Sequence, residues 1–389
     1  MGIPMVISLL LLVTWIAAPA KKVNLQTVCF LLLLGAMSIG VLTAANWYST
    51  YQAVRAMAIT LLCICIPLIQ FVDSLRKIRI FVNVLIVVFF YVGVWAIFHG
   101  GNGPGGSWGG QDQNYTSAMM CMAIPLAYFS IRLTDRRVVK LCYTVALGVF
   151  LTAIVAGSSR GGFVGLIGVV LFCILNSPRK KQALAALVVG ALLLTLVAGP
   201  KYWEEMGTIT DTKEATADMR FELWEIAGRM FVYNPLFGVG PGNFRWNAGT
   251  YTSVEQLEKF GRDLTYSVVV HSTYMEILSE LGLAGAILFV TILLRTFRDL
   301  RRIRSSKDFA KTTENDRQRR PISGNETRLP TDAQQLPYYS LAIMGSLVGY
   351  LVPSAFISFT YFSHFWVLIA LAVALNEVAR AATRKSNAS

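Results

Sequence analysis

Residues 201–230 read KYWEEMGTITDTKEATADMRFELWEIAGRM, and the stretch they open runs on to His271-Ser272-Thr273-Tyr274-Met275-Glu276 and closes at Glu280. It is the only long segment of mixed polarity in the chain. Outside it, apolar blocks of roughly 15 to 22 residues, the length a helix needs to cross a hydrocarbon core, alternate with short basic connections. With 54% hydrophobic and 15% charged residues, the chain reads as an all-α polytopic membrane protein. One long loop outside the membrane, carrying short amphipathic helices, interrupts the spans.

The apolar runs predict about eleven spanning helices, within 10–12, near 3–19, 23–44, 54–72, 80–98, 117–131, 141–156, 163–176, 182–199, 267–294, 338–359 and 363–379. Three regions follow: N-terminal spans at 1–200, the outer loop at 201–266, and C-terminal spans at 267–389 with a basic connection at 295–337. Most of the 35 Lys and Arg residues lie in alternate connections, around Lys21, Arg76, Arg136, Lys180 and 295–328, and in the C-terminal tail. Positive charge is retained in the cytoplasm, so that side is inside and the 201–266 loop faces out. Because the net charge of +13 is spread over these connections, it does not indicate a nucleic-acid surface. The first apolar run is followed by Lys21-Lys22, not by a small-residue cleavage site, and reads as a first spanning helix. All six cysteines fall inside apolar runs and read as packing residues, which argues against a disulfide framework or a thiolate metal site.

Arg160 runs against the charge rule. It lies in Ser158-Ser159-Arg160-Gly161-Gly162 between two apolar runs, on the outer side. An arginine there can snorkel to headgroups; alternatively, its planar donor fork suits phosphate oxygens, and ionisable residues at membrane depth mark functional sites. Upstream, 99–117 is rich in glycine around Trp108 and is expected either to close over a substrate or to serve as a linker. Asn114, at the mouth of the next helix, is a candidate substrate contact.

In the outer segment, Thr216 or Asp218 can cap a helix ending at Asn234-Pro235. Met219, Leu223, Ile226 and Met230 form its apolar face, which is expected to lie on the membrane or on the bundle. Arg220 and Trp224 share a side, whereas Arg229 points elsewhere and is expected to pair with Glu225. The turn Phe237-Gly238-Val239-Gly240-Pro241-Gly242-Asn243 is not a dinucleotide fingerprint, since no strand precedes it; its glycines predict close backbone approach to a neighbour or ligand. Three histidines, His99, His271 and His364, sit at outer ends of apolar runs. His271 is expected to open a helix through Leu278 to Gly282, with Tyr274 on its side and Glu276 too far round to orient it.

In this order, Ser159-Arg160-Gly161-Gly162, Arg220 with Trp224, Asn234-Pro235-Leu236-Phe237-Gly238-Val239-Gly240, and His271 to Glu276 leading into Leu281-Gly282-Leu283-Ala284-Gly285 resemble the bacterial O-antigen ligase family. Ser272 stands where members often carry Asn. The resemblance implies an inverting glycosyltransferase of the bacterial inner membrane whose active site faces the periplasm. It implies transfer of a glycan from an undecaprenyl-diphosphate carrier to a hydroxyl of lipid A-core. By position, Arg160 and Arg220 would bind the diphosphate and His271 would act as the catalytic base, with Trp224, Tyr274 and Asn114 as candidate substrate contacts. No cofactor or metal is expected, because the outer segments lack an Asp-x-Asp pair and a histidine–carboxylate cluster. An O-antigen polymerase or a protein O-oligosaccharyltransferase would use the same donor. A transporter of lipid-linked glycan or anions is a third class, disfavoured by the lack of an internal repeat and by unusual residues that gather on one face.

Overall fold

A chain crossing a bilayer must satisfy its backbone N–H and C=O groups internally, and apolar runs of this length do so as helices. The computed structural model describes residues 3–104, 112–177, 180–181, 184, 190, 200–207, 215–261, 269–305 and 332–388, and among these there are helices and no strand. In chain order they are α1 (Ile3–Ala17), α2 (Leu25–Thr43), α3 (Trp47–Ala58), α4 (Ile66–Phe71), α5 (Leu75–Phe98), α6 (Gln113–Ser130), α7 (Arg137–Ala156) and α8 (Arg160–Asn176). There follow α9 (Pro200–Gly207), α10 (Ala215–Tyr233), α11 (Phe244–Tyr251), α12 (Val254–Phe260), α13 (Thr273–Ser305), α14 (Asp332–Leu351) and α15 (Ser363–Ala388). The protein is an all-α polytopic membrane protein. Eight helical stretches among the described residues are long and apolar enough to span, and two shorter apolar helices, Val6–Ala17 and Arg160–Asn176, stand where further spans are expected. The expected span at 182–199 falls largely outside the described residues, as do Trp108 with the centre of the glycine-rich connection and residues 306–331 of the basic connection.

Two boundaries differ from expectation. The run expected to be helical from 267 begins its helix at Thr273, so His271 lies ahead of the helix and not on it. At the other end α13 continues to Ser305, so Arg295, Arg298, Arg301, Arg302 and Arg304 belong to a helix that the sequence reads as loop. Arginine is a good helix former, and no glycine or proline stops the chain there.

The chain forms two compact units. One comprises Met1–Phe71, Thr208–Thr296 and Ser354–Ala370. In it, α3 passes into α4 through a π-helical stretch, Ile59–Cys65, immediately before Pro67, where a proline cannot continue the regular ladder and a wider turn takes up the mismatch. Phe30 and Phe289 both meet Trp366 edge-on, with ring centroids 6.0 and 6.4 Å apart. The other unit comprises Val72–Gly207, Phe297–Pro353 and Leu371–Ser389. Its centre is α6, buried on nearly all sides. Because lipid tails are as apolar as leucine, helices associate there by close approach of small residues. Gly345 lies against Pro125, and Gly349 lies over the Cys121 carbonyl, which Pro125 cannot bond. Ser346 Oγ completes the α14–α6 contact by donating to the Met122 carbonyl at 2.6 Å.

Candidate functional site

In the first unit, the outer segment is a packed element of its own. Leu223, Ile226, Ala227 and Met230 of α10 are buried with Val239, Phe244, Ala248 and Val270, and Met219 and Trp224 pack at the edge. The apolar face expected of this helix is present, and what it covers includes the segment's own turn and α11. The helix ends at Tyr233, as Asn234-Pro235 dictates, but starts at Ala215, so Thr216 and Asp218 lie inside its first turn and not before it. Arg229 bonds Glu225 at 2.6 Å and also donates to the Tyr251 carbonyl at 2.7 Å, a structural role.

The turn after α10 is joined to α13 by an exchange of backbone bonds. Gly282 takes φ 62°, ψ −159°, a region essentially restricted to glycine, and breaks the helical ladder. The N–H groups of Leu283 and Ala284 therefore donate to Pro235 and Leu236 carbonyls at 2.8 and 3.1 Å. In return the carbonyls of Ser279 and Glu280 accept from Val239 and Gly240 N–H at 2.8 and 3.1 Å. Gly238, at φ 67°, makes the approach possible: a Cβ on it would stand 2.4 Å from the Glu280 carbonyl carbon. The close approach read from the glycines of the sequence is thus to α13.

Side chains reinforce the junction. Glu280, 3% exposed, accepts from Gly242 N–H at 2.7 Å, Phe244 N–H at 2.9 Å and the Tyr361 hydroxyl at 2.6 Å. Asn243, fully buried, accepts from Asn46 N–H at 2.8 Å and donates to the Asn46 carbonyl at 3.1 Å and to Thr50 Oγ1. One turn before Glu280, Glu276 accepts from Thr360 N–H at 3.1 Å and from the Thr360 hydroxyl. Thr273 donates to the Ile357 carbonyl at 2.7 Å and accepts from Phe359 N–H at 3.0 Å. Burial, followed by the neighbouring Glu280 and Glu276, raises the Tyr361 phenol well above its ordinary value of 10.0, so it remains a donor. In the sequence, helical spacing shows Glu276 only as a residue unsuited to orient His271, and Glu280 does not stand out. Their i,i+4 spacing at the start of a spanning helix was the available signal.

His271 sits at the head of this assembly with φ 50°. Among the described residues, Ser158 (φ 43°) is the other non-glycine residue with positive φ, and such conformations cost about 1–3 kcal/mol and gather at functional sites. The backbone is held on both sides of the histidine. Trp224 Nε1 donates to the Val270 carbonyl at 3.1 Å, while Ser272, 3% exposed, caps α13 through its side chain to Met275 N–H at 3.4 Å. Serine is a good N-cap, and asparagine could fill the same role. Arg220 lies on α10 one turn before Trp224 and is partly exposed, and Tyr274, in the first turn of α13, is 39% exposed. Of the other histidines, His99 stacks on Trp95 at 4.0 Å in the second unit, and His364 is buried beside Phe362 in the first.

Arg160 belongs to the second unit, as the first residue of α8. Ser159 caps the helix, accepting from Gly162 N–H at 3.1 Å, and its hydroxyl donates to Asn114 Oδ1 at 2.7 Å. Asn114 in turn donates to both oxygens of Asp112, at 3.0 and 3.2 Å. The candidate substrate contact Asn114 therefore supports the residue that precedes Arg160. Gly162 permits this approach, since a Cβ there would stand 2.4 Å from Ser117 Cβ.

Compared with known proteins, residues 145–290 match the model of the O-antigen ligase family. The match takes in Arg160, Arg220, Trp224, the 234–243 turn, His271 and Gly282. No curated protein matches the chain.

Proposed function

The chain carries an O-antigen ligase family domain within a polytopic helical membrane protein, and from that premise we propose that it transfers a glycan from an undecaprenyl-diphosphate carrier to a lipid A-core hydroxyl. The family supports ligase or polymerase-like glycosyl transfer; the donor, the acceptor and the periplasmic face of the bacterial inner membrane are our reading. The observation that carries it is His271, which lies in the matched domain in a left-handed conformation fixed by Trp224 on one side and Ser272 on the other. Strain maintained by this many contacts is what a positioned reactive group requires.

In the proposed reaction the imidazole of His271 takes the proton of the acceptor hydroxyl as its oxygen attacks the anomeric carbon. The bond from that carbon to the diphosphate breaks on the opposite face, so configuration inverts. Negative charge grows on the departing undecaprenyl diphosphate, and we assign its neutralisation to the guanidinium groups of Arg220 and Arg160. Because diphosphate leaves readily once neutralised, this scheme needs neither a protonating acid nor a metal. Trp224 acts here by fixing Val270, and we assign Trp224, with Tyr274 on the first turn of α13 and Asn114, to substrate contact.

The test uses purified protein, a defined undecaprenyl-diphosphate glycan, lipid A-core and a chelator. Wild type is expected to glycosylate lipid A-core, His271→Ala to lose about 10²–10⁴-fold in rate, and Arg220→Ala about 10²–10³-fold, with folding retained. Extension of the lipid-linked glycan itself would replace ligase with polymerase. A donor left chemically intact with every acceptor, lipid or protein, would sink the transferase reading and favour transport.

A further inference from the structure

From the sequence, the outer segment is expected outside the membrane, with one helix face resting on the membrane or on the bundle; the junction between the 234–243 turn and α13 argues for a deeper position of part of it. Pro235 and Leu236 are bonded to Leu283 and Ala284, which lie inside the span Thr273–Ser305. Counting back from Arg295, the first arginine at the inner end of the apolar run, residue 284 lies about 17 Å into a hydrocarbon core about 30 Å thick. That depth is beneath the outer headgroups. A second anchor agrees: Pro241 and Gly240 lie against Gly40, about a turn below the end of α2, where a Cβ would stand 2.8 Å from Pro241 Cδ.

The composition changes accordingly. Upstream, α10 carries Asp218, Glu222, Glu225 and Arg229; no charged residue then occurs until Arg245. Within this neutral stretch the outward-facing side chains are apolar or aromatic: Val232 is 70% exposed, Tyr233 73% and Leu236 65%. They continue a stripe on α13 made by Leu283, Ile287, Val290 and Leu294, all exposed at the spacing of one helix face. Non-helical backbone survives at membrane depth only where its polar groups are satisfied within the protein. The four exchanged backbone bonds satisfy the carbonyls of Pro235 and Leu236 and the N–H groups of Val239 and Gly240, while the Glu280 carboxylate accepts from Gly242 N–H and the Asn243 amide donates to the Pro241 carbonyl. Asn234 is satisfied by the Met230 carbonyl and the Tyr251 hydroxyl.

We propose that residues 232–241 form a re-entrant turn inserted into the outer leaflet, with Val232, Tyr233 and Leu236 in contact with lipid acyl chains. The partner is lipid hydrocarbon, because this apolar surface is continuous with the exposed face of a spanning helix, and the charged side chains next to it on α10, Arg229 and Glu225, lie one and two turns above Val232 and are paired with each other. The inference does not depend on the glycan or the acceptor.

The experiment places a nitroxide on Leu236→Cys, Val232→Cys, Ile287→Cys and Glu258→Cys, each in a Cys142→Ser background that removes the exposed native thiol, in protein reconstituted into phosphatidylcholine bilayers. Relaxation by oxygen, which concentrates in hydrocarbon, is compared with relaxation by a water-soluble nickel chelate. Labels at 236 and 232 are expected to behave like 287, favouring oxygen, while 258 favours nickel. Nickel-dominated relaxation at 236 and 232 overturns the proposal. On unsubstituted protein, a phosphatidylcholine carrying a photoreactive group in its acyl chain should label the peptide containing Val232 to Phe237. Labelling confined to the spanning helices overturns it equally.

Discussion

At His271 the energetic cost of the backbone can be separated from the chemistry of the ring. A non-glycine residue at φ 50° carries strain of about 1–2 kcal/mol, and glycine would relieve it while enlarging the entropy of the unfolded chain by a comparable amount. His271→Gly is therefore expected to unfold within a few degrees of wild type and yet to lose transfer as fully as His271→Ala. A large fall in melting temperature with the glycine would show that the imidazole holds the fold, and would remove the reason to call it catalytic. Ser272 provides the complementary case. Ser272→Asn should retain both stability and transfer, whereas Ser272→Ala should cost about 1 kcal/mol through loss of the cap, measured by thermal unfolding in detergent. Both residues were legible in the sequence as members of one run. Their conformations were not, because a left-handed histidine ahead of a helix has no signature in spacing, and the sequence reading placed it on the helix.

Among the elements, the exchange between α13 and the 234–243 turn is where local rules give way to tertiary structure. The glycines of the turn announced a close approach, but its target, forty residues away at Ser279 to Ala284, depends on a pairing that no local pattern encodes. Gly282 looks in sequence like a tolerated helix glycine; its φ of 62° is imposed by that pairing. Gly238→Ala is expected to destabilise by about 2–5 kcal/mol, the sum of a positive φ and an overpacked contact with the Glu280 carbonyl carbon. Glu280→Ala leaves the buried N–H groups of Gly242 and Phe244 without their acceptor and should cost about 2–4 kcal/mol, while Glu280→Gln, which keeps one acceptor oxygen, should cost less. Equal losses for the two variants would count against the hydrogen-bonding role. Tyr361 adds a pH dependence. Its folded pKa is raised above 10.0, so its stabilising contribution is complete below pH 10 and is lost as pH rises from there, when the unfolded state alone gives up the proton. Wild type should lose stability above about pH 10 more steeply than Tyr361→Phe, although the variant starts lower for want of its bond to Glu280.

At the level of the whole molecule, the bilayer makes the fold class readable and leaves the arrangement unread. Spans announce themselves because each needs about twenty apolar residues, but all apolar runs look alike, and nothing in Gln113–Ser130 identifies it as the helix that the rest of its unit surrounds. The same blindness hides the structural part that Asn114 plays: its bond to Ser159 joins the starts of two helices far apart in sequence. Orientation, by contrast, rests on charge that the sequence displays openly. If the basic connections face the cytoplasm, Arg136→Cys, exposed at the start of α7, should resist a membrane-impermeant maleimide in intact spheroplasts. Glu258→Cys, exposed on α12, should react in the same Cys142→Ser background, and disruption of the membrane should equalise the two. The reverse pattern would place His271 and Arg220 on the cytoplasmic side. A periplasmic ligase would then be excluded whatever the purified protein did in detergent, because donor and acceptor would be presented to the wrong face.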